Sequence, residues 1–247
     1  MRRSLLLASL AGLAYLPVNH ADAQGSAEDF GVLRARMVAE IEMLAHETRS
    51  ETGRGRFSSS VMAAMATVPR HQFVPPQMVR DAYRNSPLPI GSGQTISQPY
   101  IVALSTDLAE PRPDHVVLEI GTGSGYQAAV LAEIVRQVYT IELLEPLGKD
   151  AASRLARLGY RNVEVRIGDG YQGWPEHAPF DSIVVTAAAP HVPPALVAQL
   201  KPGGKLVIPV GGTWEVQELL VVSKRADGST ESRKVLPVRF VPLVPGK

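Results

Sequence analysis

Residues 119–126 read Glu-Ile-Gly-Thr-Gly-Ser-Gly-Tyr. Glycines at alternate positions let a chain turn tightly and lie close to a ligand, because they adopt backbone angles that a Cβ forbids. The dinucleotide fingerprint is G-x-G-x-x-G. Gly121 and Gly123 fit it, but Tyr126 stands at the third glycine position and Gly125 falls one residue early. A pyrophosphate needs closely spaced backbone N–H donors at a helix start; a nucleoside without phosphate does not. Three acids accompany the loop. Glu119 precedes it and suits a ligand ammonium, Glu142 suits a pair of ribose hydroxyls, and Asp169, followed by Gly170, suits an adenine amino group. Each acid alone reads equally well as the cap of a neighbouring helix or turn. Together with Gly121, Thr122, Gly123 and Gly125 they fit a cationic nucleoside, and the sulfonium cofactor S-adenosyl-L-methionine is one.

Other chemistries lack their residues. The chain has no cysteine, hence no thiol nucleophile, thiolate metal site or disulfide. There is no G-x-S-x-G and no H-E-x-x-H, and Gly204-Lys205 is followed by Leu206 rather than the hydroxyl of a phosphate-binding loop. The six histidines are scattered, so no metal is expected, and His71, His115 and His177 read as structural. A formal net charge of +1 argues against a polycationic nucleic-acid binder.

Elements that end at the named residues must position them. β-Branched apolar runs mark strands at 115–120, 138–141, 163–167, 181–186, 205–210, 218–223 and 235–241. Between them the pattern predicts helices at 126–135, 146–158 and 194–200, with Gly159 closing the second. Strands alternating with helices mean a doubly wound, Rossmann-like α/β fold with a mostly parallel sheet. The last two strands, with no helix between them, should run antiparallel. Such sheets bind ligands beyond the carboxyl ends of their strands. Residues 186–190, Thr-Ala-Ala-Ala-Pro, leave a strand on that side, and their small size either makes room for ligand or packs tightly. Tyr126 either lies under the cofactor or belongs to the core, and Trp174 either flanks adenine or fills a surface pocket.

Ahead of the sheet, Phe30, Leu33, Met37, Ile41 and Leu44 recur at helical steps. Residues 48–56 read as a polar loop, a second helix capped by Ser58 or Ser59 runs through Met65, and another spans 99–108. Pro-rich turns surround Pro75-Pro76 and Pro87-Leu88-Pro89, and 90–98 reads as a small, polar loop. At the amino terminus Arg2-Arg3, an apolar run from Leu5 to Leu16, and Ala21-Asp22-Ala23 have the layout of a signal peptide cleaved after Ala23. The expected organisation is therefore a leader at 1–23, a helical extension with an active-site loop at 24–98, and a cofactor-binding domain at 99–247.

Several blocks closely resemble the protein-L-isoaspartate O-methyltransferases: VPRHQFVP at 68–75, PLPIGSGQTISQPY at 87–100, LEIGTGSGY at 118–126, GDGYQGW at 168–174, APFD at 178–181, TAAAP at 186–190 and FVPL at 240–243. They run in order over about residues 60–243; the leader and the longer polar segment at 48–56 depart from the pattern. The resemblance implies a class I methyltransferase fold with a helical amino-terminal extension and antiparallel carboxyl-terminal strands. It implies transfer of the methyl of S-adenosyl-L-methionine to the free α-carboxylate of L-isoaspartyl residues in damaged proteins and peptides, with S-adenosylhomocysteine as product. The ester then closes to a succinimide, which begins repair.

The family's active-site serine falls on Ser97. Its simpler reading is an N-cap, two residues before the proline of a helix start; a helix N-terminus also favours an approaching carboxylate. Gln94, Thr95, Ser97, Thr186 and Ala187 form the expected substrate side. The alternatives are a carboxyl methyltransferase for another or a small substrate, and a catalytically silent relative that only binds the cofactor. A monomer with no nucleic-acid partner and no stable membrane association is expected. The leader points to export to the periplasm; the family's usual location is the cytoplasm, which a start at Met37 would restore.

Overall fold

The computed structural model describes residues 27–212 and 216–246. The leader expected at 1–23 lies outside them. The chain first forms three helices, α1 (Ala27–Glu47), α2 (Arg49–Thr52) and α3 (Ser59–Thr67). The apolar stripe of α1 buries Met37 and Ile41 fully. Residues 48–56, expected as loop, contain α2, a single turn closed by Gly53 at φ 69°. The Ser58 hydroxyl accepts the Val61 N–H and so starts α3.

Two 3-10 turns (Arg70–Phe73 and Pro76–Asp81) lead to a hairpin of β1 (Leu88–Gly91) and β2 (Gln94–Ile96). The sequence reads this stretch as loop. It pairs because Gly91, Ser92 and Gly93 all take positive φ and reverse the chain between two very short strands. Helix α4 (Pro99–Leu108) follows.

A seven-stranded sheet comes next, built from β3 (Val116–Ile120), β4 (Gln137–Glu142), β5 (Val163–Ile167), β6 (Phe180–Val185), β7 (Leu200–Val210), β8 (Gln217–Lys224) and β9 (Thr230–Val238). Helices α5 (Tyr126–Ala132), α6 (Glu145–Arg157) and α7 (Pro194–Ala198) cross between the parallel strands. The order is β5-β4-β3-β6-β7-β8-β9, parallel as far as β7, with β8 and β9 antiparallel. Helix α5 stops three residues short of expectation. Strand β9 begins five residues early and ends at Val238, because the chain beyond it leaves the sheet to lie beside Ala188. Gly159, at φ 88°, closes α6 with Tyr160 N–H to Leu155 O and Gly159 N–H to Ala156 O.

The central strands read as nearly continuous apolar runs because both their faces are covered. One face joins Val117, Val138 and Val207 to Met37, Val61 and Met65 of the amino-terminal helices in a single core. The other gathers Leu118, Ile120, Ile183 and Ile208 with Trp174 and Leu196. Each such fully buried aliphatic side chain contributes about 1.5–3 kcal/mol by leaving water. The glycine loop is thus fixed to a rigid floor. Among the described residues no helix is long and apolar enough to cross a membrane.

Candidate active site

The sheet order reverses beside β3, and there the ends of β3, β4 and β6 and the turn after β5 open on one cleft. Gly121, Gly123, Glu142, Gly170, Thr186, Ala187, Gln94 and Thr95 all line it. The Gly121 and Thr122 N–H groups both donate to Ile141 O, at 2.8 and 3.2 Å, so the loop folds back over β4. Gly121 has φ 95°, and a Cβ there would lie 2.4 Å from Thr186 Oγ1. That hydroxyl cannot move aside freely, because it donates to Gly121 O at 2.6 Å, with Ile120 O at 3.0 Å. A Cβ on Gly170 would lie 2.4 Å from Ile120 Cγ2. Gly125 is absent from the cleft lining: it takes φ 87° and admits Leu155 of α6, 3.1 Å from where its Cβ would be.

The three acids serve differently. Glu142 accepts the Gly123 N–H at 2.8 Å on Oε2 and the Leu144 N–H at 3.0 Å on Oε1, which leaves each oxygen a lone pair for a ribose hydroxyl. Glu119 is fully buried and lines a smaller chamber with Ser97, Thr95 and Thr186. Its Oε2 accepts the Thr140 hydroxyl at 2.5 Å, Thr140 in turn meets Thr122 Oγ1 at 2.7 Å, and Oε1 has no partner among the described residues. Burial pushes the Glu119 carboxyl up to about 8; the Thr140 hydrogen bond opposes the rise and the nearby Glu142 charge adds to it. Asp169, one residue before Gly170, uses Oδ1 to cap the turn at Gly170–Gln172 through Tyr171 N–H, at 2.8 Å. An orphaned buried carboxylate oxygen, two accepting Glu142 oxygens and a cradle that excludes Cβ atoms together fit a cationic nucleoside.

The substrate side is a groove lined by Pro87, Thr95, Ser97, Gln98, Ile101, Thr186 and residues 237–241. Thr95 and Thr186 belong to this groove, to the cofactor cleft and to the Glu119 chamber, so the three meet there. Ser97 is not the N-cap of α4, contrary to its simpler reading. Gln98 holds the cap position without a side-chain bond, and Asn85 Oδ1 accepts the Tyr100 N–H at 3.0 Å instead. The Ser97 hydroxyl makes no hydrogen bond among the described residues, while its carbonyl accepts Arg70 Nη2 at 2.8 Å. Gln94 reaches only Ser92 O, at 3.5 Å.

The carboxyl-terminal tail forms the opposite wall. Gln217 holds it by donating to Phe240 O at 3.1 Å and accepting the Phe240 N–H at 2.6 Å. Ala188 and Leu243 then exchange backbone bonds across it, Ala188 N to Val241 O at 2.8 Å and Leu243 N to Ala188 O at 2.7 Å. Nothing local to 240–243 signals this role; only the small residues of 186–190, which admit the tail, hint at it.

Of the remaining candidates Tyr126 lines the Glu119 chamber, and the others lie elsewhere. Trp174 is buried against Tyr139 and His177 in the core, away from the cleft lining. Tyr126 is buried and edge-on to Phe73. His71 stacks on Phe30 at 4.0 Å and His177 on Tyr139 at 3.9 Å. Among the described residues no group of three His, Cys, Asp or Glu is placed to hold a metal.

A glycine loop and strand-end acids at the switch point of a mostly parallel sheet, beside an adjoining groove, define a class I S-adenosylmethionine-dependent methyltransferase. The family of protein-L-isoaspartate(D-aspartate) O-methyltransferases matches residues 43–247. A Polaromonas protein-L-isoaspartate O-methyltransferase is 61% identical over 207 residues, 84% of this chain and 98% of its own length. A solved protein-L-isoaspartate O-methyltransferase superposes with TM-score 0.73 at 27% identity, covering 85% of this chain and 65% of that one. A Plasmodium falciparum chain solved with S-adenosyl-L-homocysteine gives TM-score 0.68 at 23% identity, over 87% of this chain and 98% of that one, which attests the fold. The chain belongs to the protein-L-isoaspartate(D-aspartate) O-methyltransferase family, and it methylates isoaspartyl carboxyls with S-adenosylmethionine as donor.

Proposed function

We propose that the glycine-loop cleft takes S-adenosylmethionine, that the groove beside Ser97 takes the isoaspartyl residue, and that carboxylate and methyl group meet at Thr95 and Thr186. The supporting observation is that both clefts and the Glu119 chamber share those two residues. When bound, the cofactor supplies an electrophilic methyl group on a sulfonium. The substrate carboxyl, with an ordinary pKa of about 4, is already ionised at neutral pH. No strong general base is required, and the protein's work is alignment and exclusion of water. The unengaged Ser97 hydroxyl and the exposed Thr95 hydroxyl each donate one hydrogen bond to the carboxylate. Glu142 accepts from the ribose hydroxyls and Glu119 faces the ligand ammonium. Asp169 keeps Oδ2 for the adenine amino group, with Gly170 giving the base its room. Gln94 and Ala187 line the cofactor side of the junction.

The test pairs an isoaspartyl peptide with its aspartyl twin, alongside calorimetric titration of S-adenosylhomocysteine and NAD. Methyl transfer to the isoaspartyl peptide alone, with S-adenosylhomocysteine bound and NAD ignored, is the expected result. Equal transfer to both peptides would point to a broader carboxyl substrate. Cofactor binding without transfer would leave a silent binding protein.

The enzyme is further proposed to act as an exported monomer without stable membrane association. The basic, apolar and Ala-x-Ala succession at 2–23 supports export. A start at Met37 would instead remove Phe30, which stacks on His71, and Arg34, which donates to Thr67 O. Mass spectrometry of the mature amino terminus decides: Gln24 in a periplasmic fraction is expected, and Met1 or Met37 in the cytoplasm refutes it. Size-exclusion chromatography with light scattering tests the monomer.

A further inference from the structure

Arg70 is the largest side chain fully buried in the protein, and no carboxylate lies within ion-pairing distance of it among the described residues. Burying a cation without a counter-ion is costly, so a position that does it needs a reason. Burial lowers the guanidinium to about 10, which still leaves it charged at neutral pH. What it touches supplies the reason. Nε donates to Ala82 O at 2.8 Å, Nη2 donates to Ser97 O at 2.8 Å, and Cζ sits 4.7 Å above the ring of Tyr126. Ala82 closes the second 3-10 turn, Ser97 lies between hairpin and α4 on the substrate side, and Tyr126 is the first residue of α5, directly after the glycine loop. One planar group therefore ties the substrate wall to the helix that the cofactor loop opens.

We propose that Arg70 is a positioning residue for methyl transfer, which fixes the Ser97 backbone from behind and so aims the Ser97 hydroxyl at the substrate carboxylate. This rests on the assignment of the Ser97 groove to substrate. The reason lies in hydrogen-bond accounting. Ser97 has neither a cap nor any side-chain bond to hold it, so its carbonyl is where the fold can grip it. Only a guanidinium reaches two carbonyls in a fixed fork while its carbon sits over a ring; lysine keeps the charge with a single nitrogen and no plane.

The experiment compares wild type, Arg70→Lys, Arg70→Met, Ser97→Ala and the double variant Arg70→Lys/Ser97→Ala. For each, kcat and KM for an isoaspartyl peptide are measured, with S-adenosylhomocysteine affinity by calorimetry. Arg70→Lys should lower peptide kcat/KM by about tenfold and Arg70→Met by about a hundredfold, as for lost hydrogen bonds from a charged donor. Cofactor affinity should stay within about twofold in the lysine variant, since the glycine loop is held by its own backbone bonds. In the Ser97→Ala background Arg70→Lys should cost less than about twofold, because residues that act through one another are not additive. Unchanged peptide kinetics, a parallel fall in cofactor affinity, or full additivity with Ser97→Ala would each overturn the proposal. If Arg70→Met fails to fold, the lysine cycle decides alone. A wild-type enzyme that binds S-adenosylhomocysteine but spares the peptide would instead overturn the assignment of the groove, and this inference with it.

Discussion

The cofactor cleft and the substrate groove share an edge but are held together differently. The cleft is walled mainly by strand ends, with Gln94, Thr95 and residues 241–244 completing its lining, and its floor follows from atoms that cannot come closer: Gly121 against Thr186 Oγ1, and Gly170 against Ile120 Cγ2. The groove is walled by a short hairpin before the sheet and a tail after it. Side chains from elsewhere keep both in place, Asn85 and Arg70 on one wall and Gln217 on the other. The cleft resists change by sterics on a rigid floor, whereas the groove depends on a few hydrogen bonds and so yields in increments. A protein that must admit many damaged chains benefits from such a division. Its donor is always the same molecule, and its acceptors are not.

If the cleft is a steric device, Gly121→Ala should be the most damaging single change. The added methyl would fall 2.4 Å from a hydroxyl pinned by two carbonyls, at a φ of 95° that alanine rarely adopts. Strain and overpacking together should cost about 2–4 kcal/mol and weaken S-adenosylhomocysteine binding by more than about a hundredfold. Calorimetry and thermal melting report both. Near-normal affinity would show that the loop adapts and that the comparison is mistaken.

The cleft should also be the region that senses pH. Glu119, with its carboxyl raised to about 8, carries a proton at neutral pH, and the ligand ammonium favours its ionised form. Ligand binding then releases that proton, so S-adenosylhomocysteine affinity should strengthen with rising pH and level off near pH 8, by up to about tenfold per unit below that. The free protein behaves in the opposite sense. Its raised acid holds a proton that the unfolded chain has given up, so stability is full below the ordinary glutamate range and is lost as pH climbs toward about 8. Glu119→Gln should flatten both profiles. A pH-independent affinity in the wild type would remove Glu119 from the ligand's surroundings.

The groove predicts a gentler and selective loss. Ser97→Ala removes one hydrogen bond to a charged acceptor and should lower peptide kcat/KM by about ten- to a hundredfold. Cofactor affinity should hold within about twofold, since Ser97 has no bond to the glycine loop. Steady-state kinetics with an isoaspartyl peptide, paired with calorimetry, checks both halves. Wild-type turnover would exclude Ser97 from the alignment of substrate.

How readily each region is read from the sequence follows the same division. The glycine loop, Glu119 and Glu142 are legible because strand, turn and helix start are consecutive in the chain, and periodicity places them at strand ends. Gly125 looks like part of the ligand loop, yet it serves Leu155 thirty residues on, a contact that spacing does not reveal. Ser97 resembles a helix cap because serine before proline is the local solution; Asn85, fifteen residues before the Tyr100 N–H it accepts, supplies a cap from outside. The start of the tail, to Val241, is read as strand because its residues favour extended backbone, and nothing local tells that its partner is Ala188 rather than β8. Arg70 shows no chemistry in sequence at all, since a buried arginine declares itself only through the distant carbonyls it meets.

The smallest expected effect separates support from chemistry within the groove. Asn85→Ala deletes the acceptor for the Tyr100 N–H at the start of α4. Loss of a helix cap costs about 1 kcal/mol, a shift of a few degrees in melting temperature for a chain of this size. The orphaned N–H lies two residues beyond Gln98, so part of that cost should be recovered by a local rearrangement that recruits the nearest free hydroxyl, which belongs to Ser97. A hydroxyl turned back to cap its own helix is withdrawn from the carboxylate. Asn85→Ala should therefore lower peptide kcat/KM by about fivefold with cofactor affinity unchanged. The effect should disappear in the Ser97→Ala background, where there is no hydroxyl to divert. Restoring the acceptor with Asn85→Asp should return both stability and turnover. A loss of activity that persists without the Ser97 hydroxyl would mean that Asn85 shapes the groove by packing rather than by freeing Ser97 from its cap.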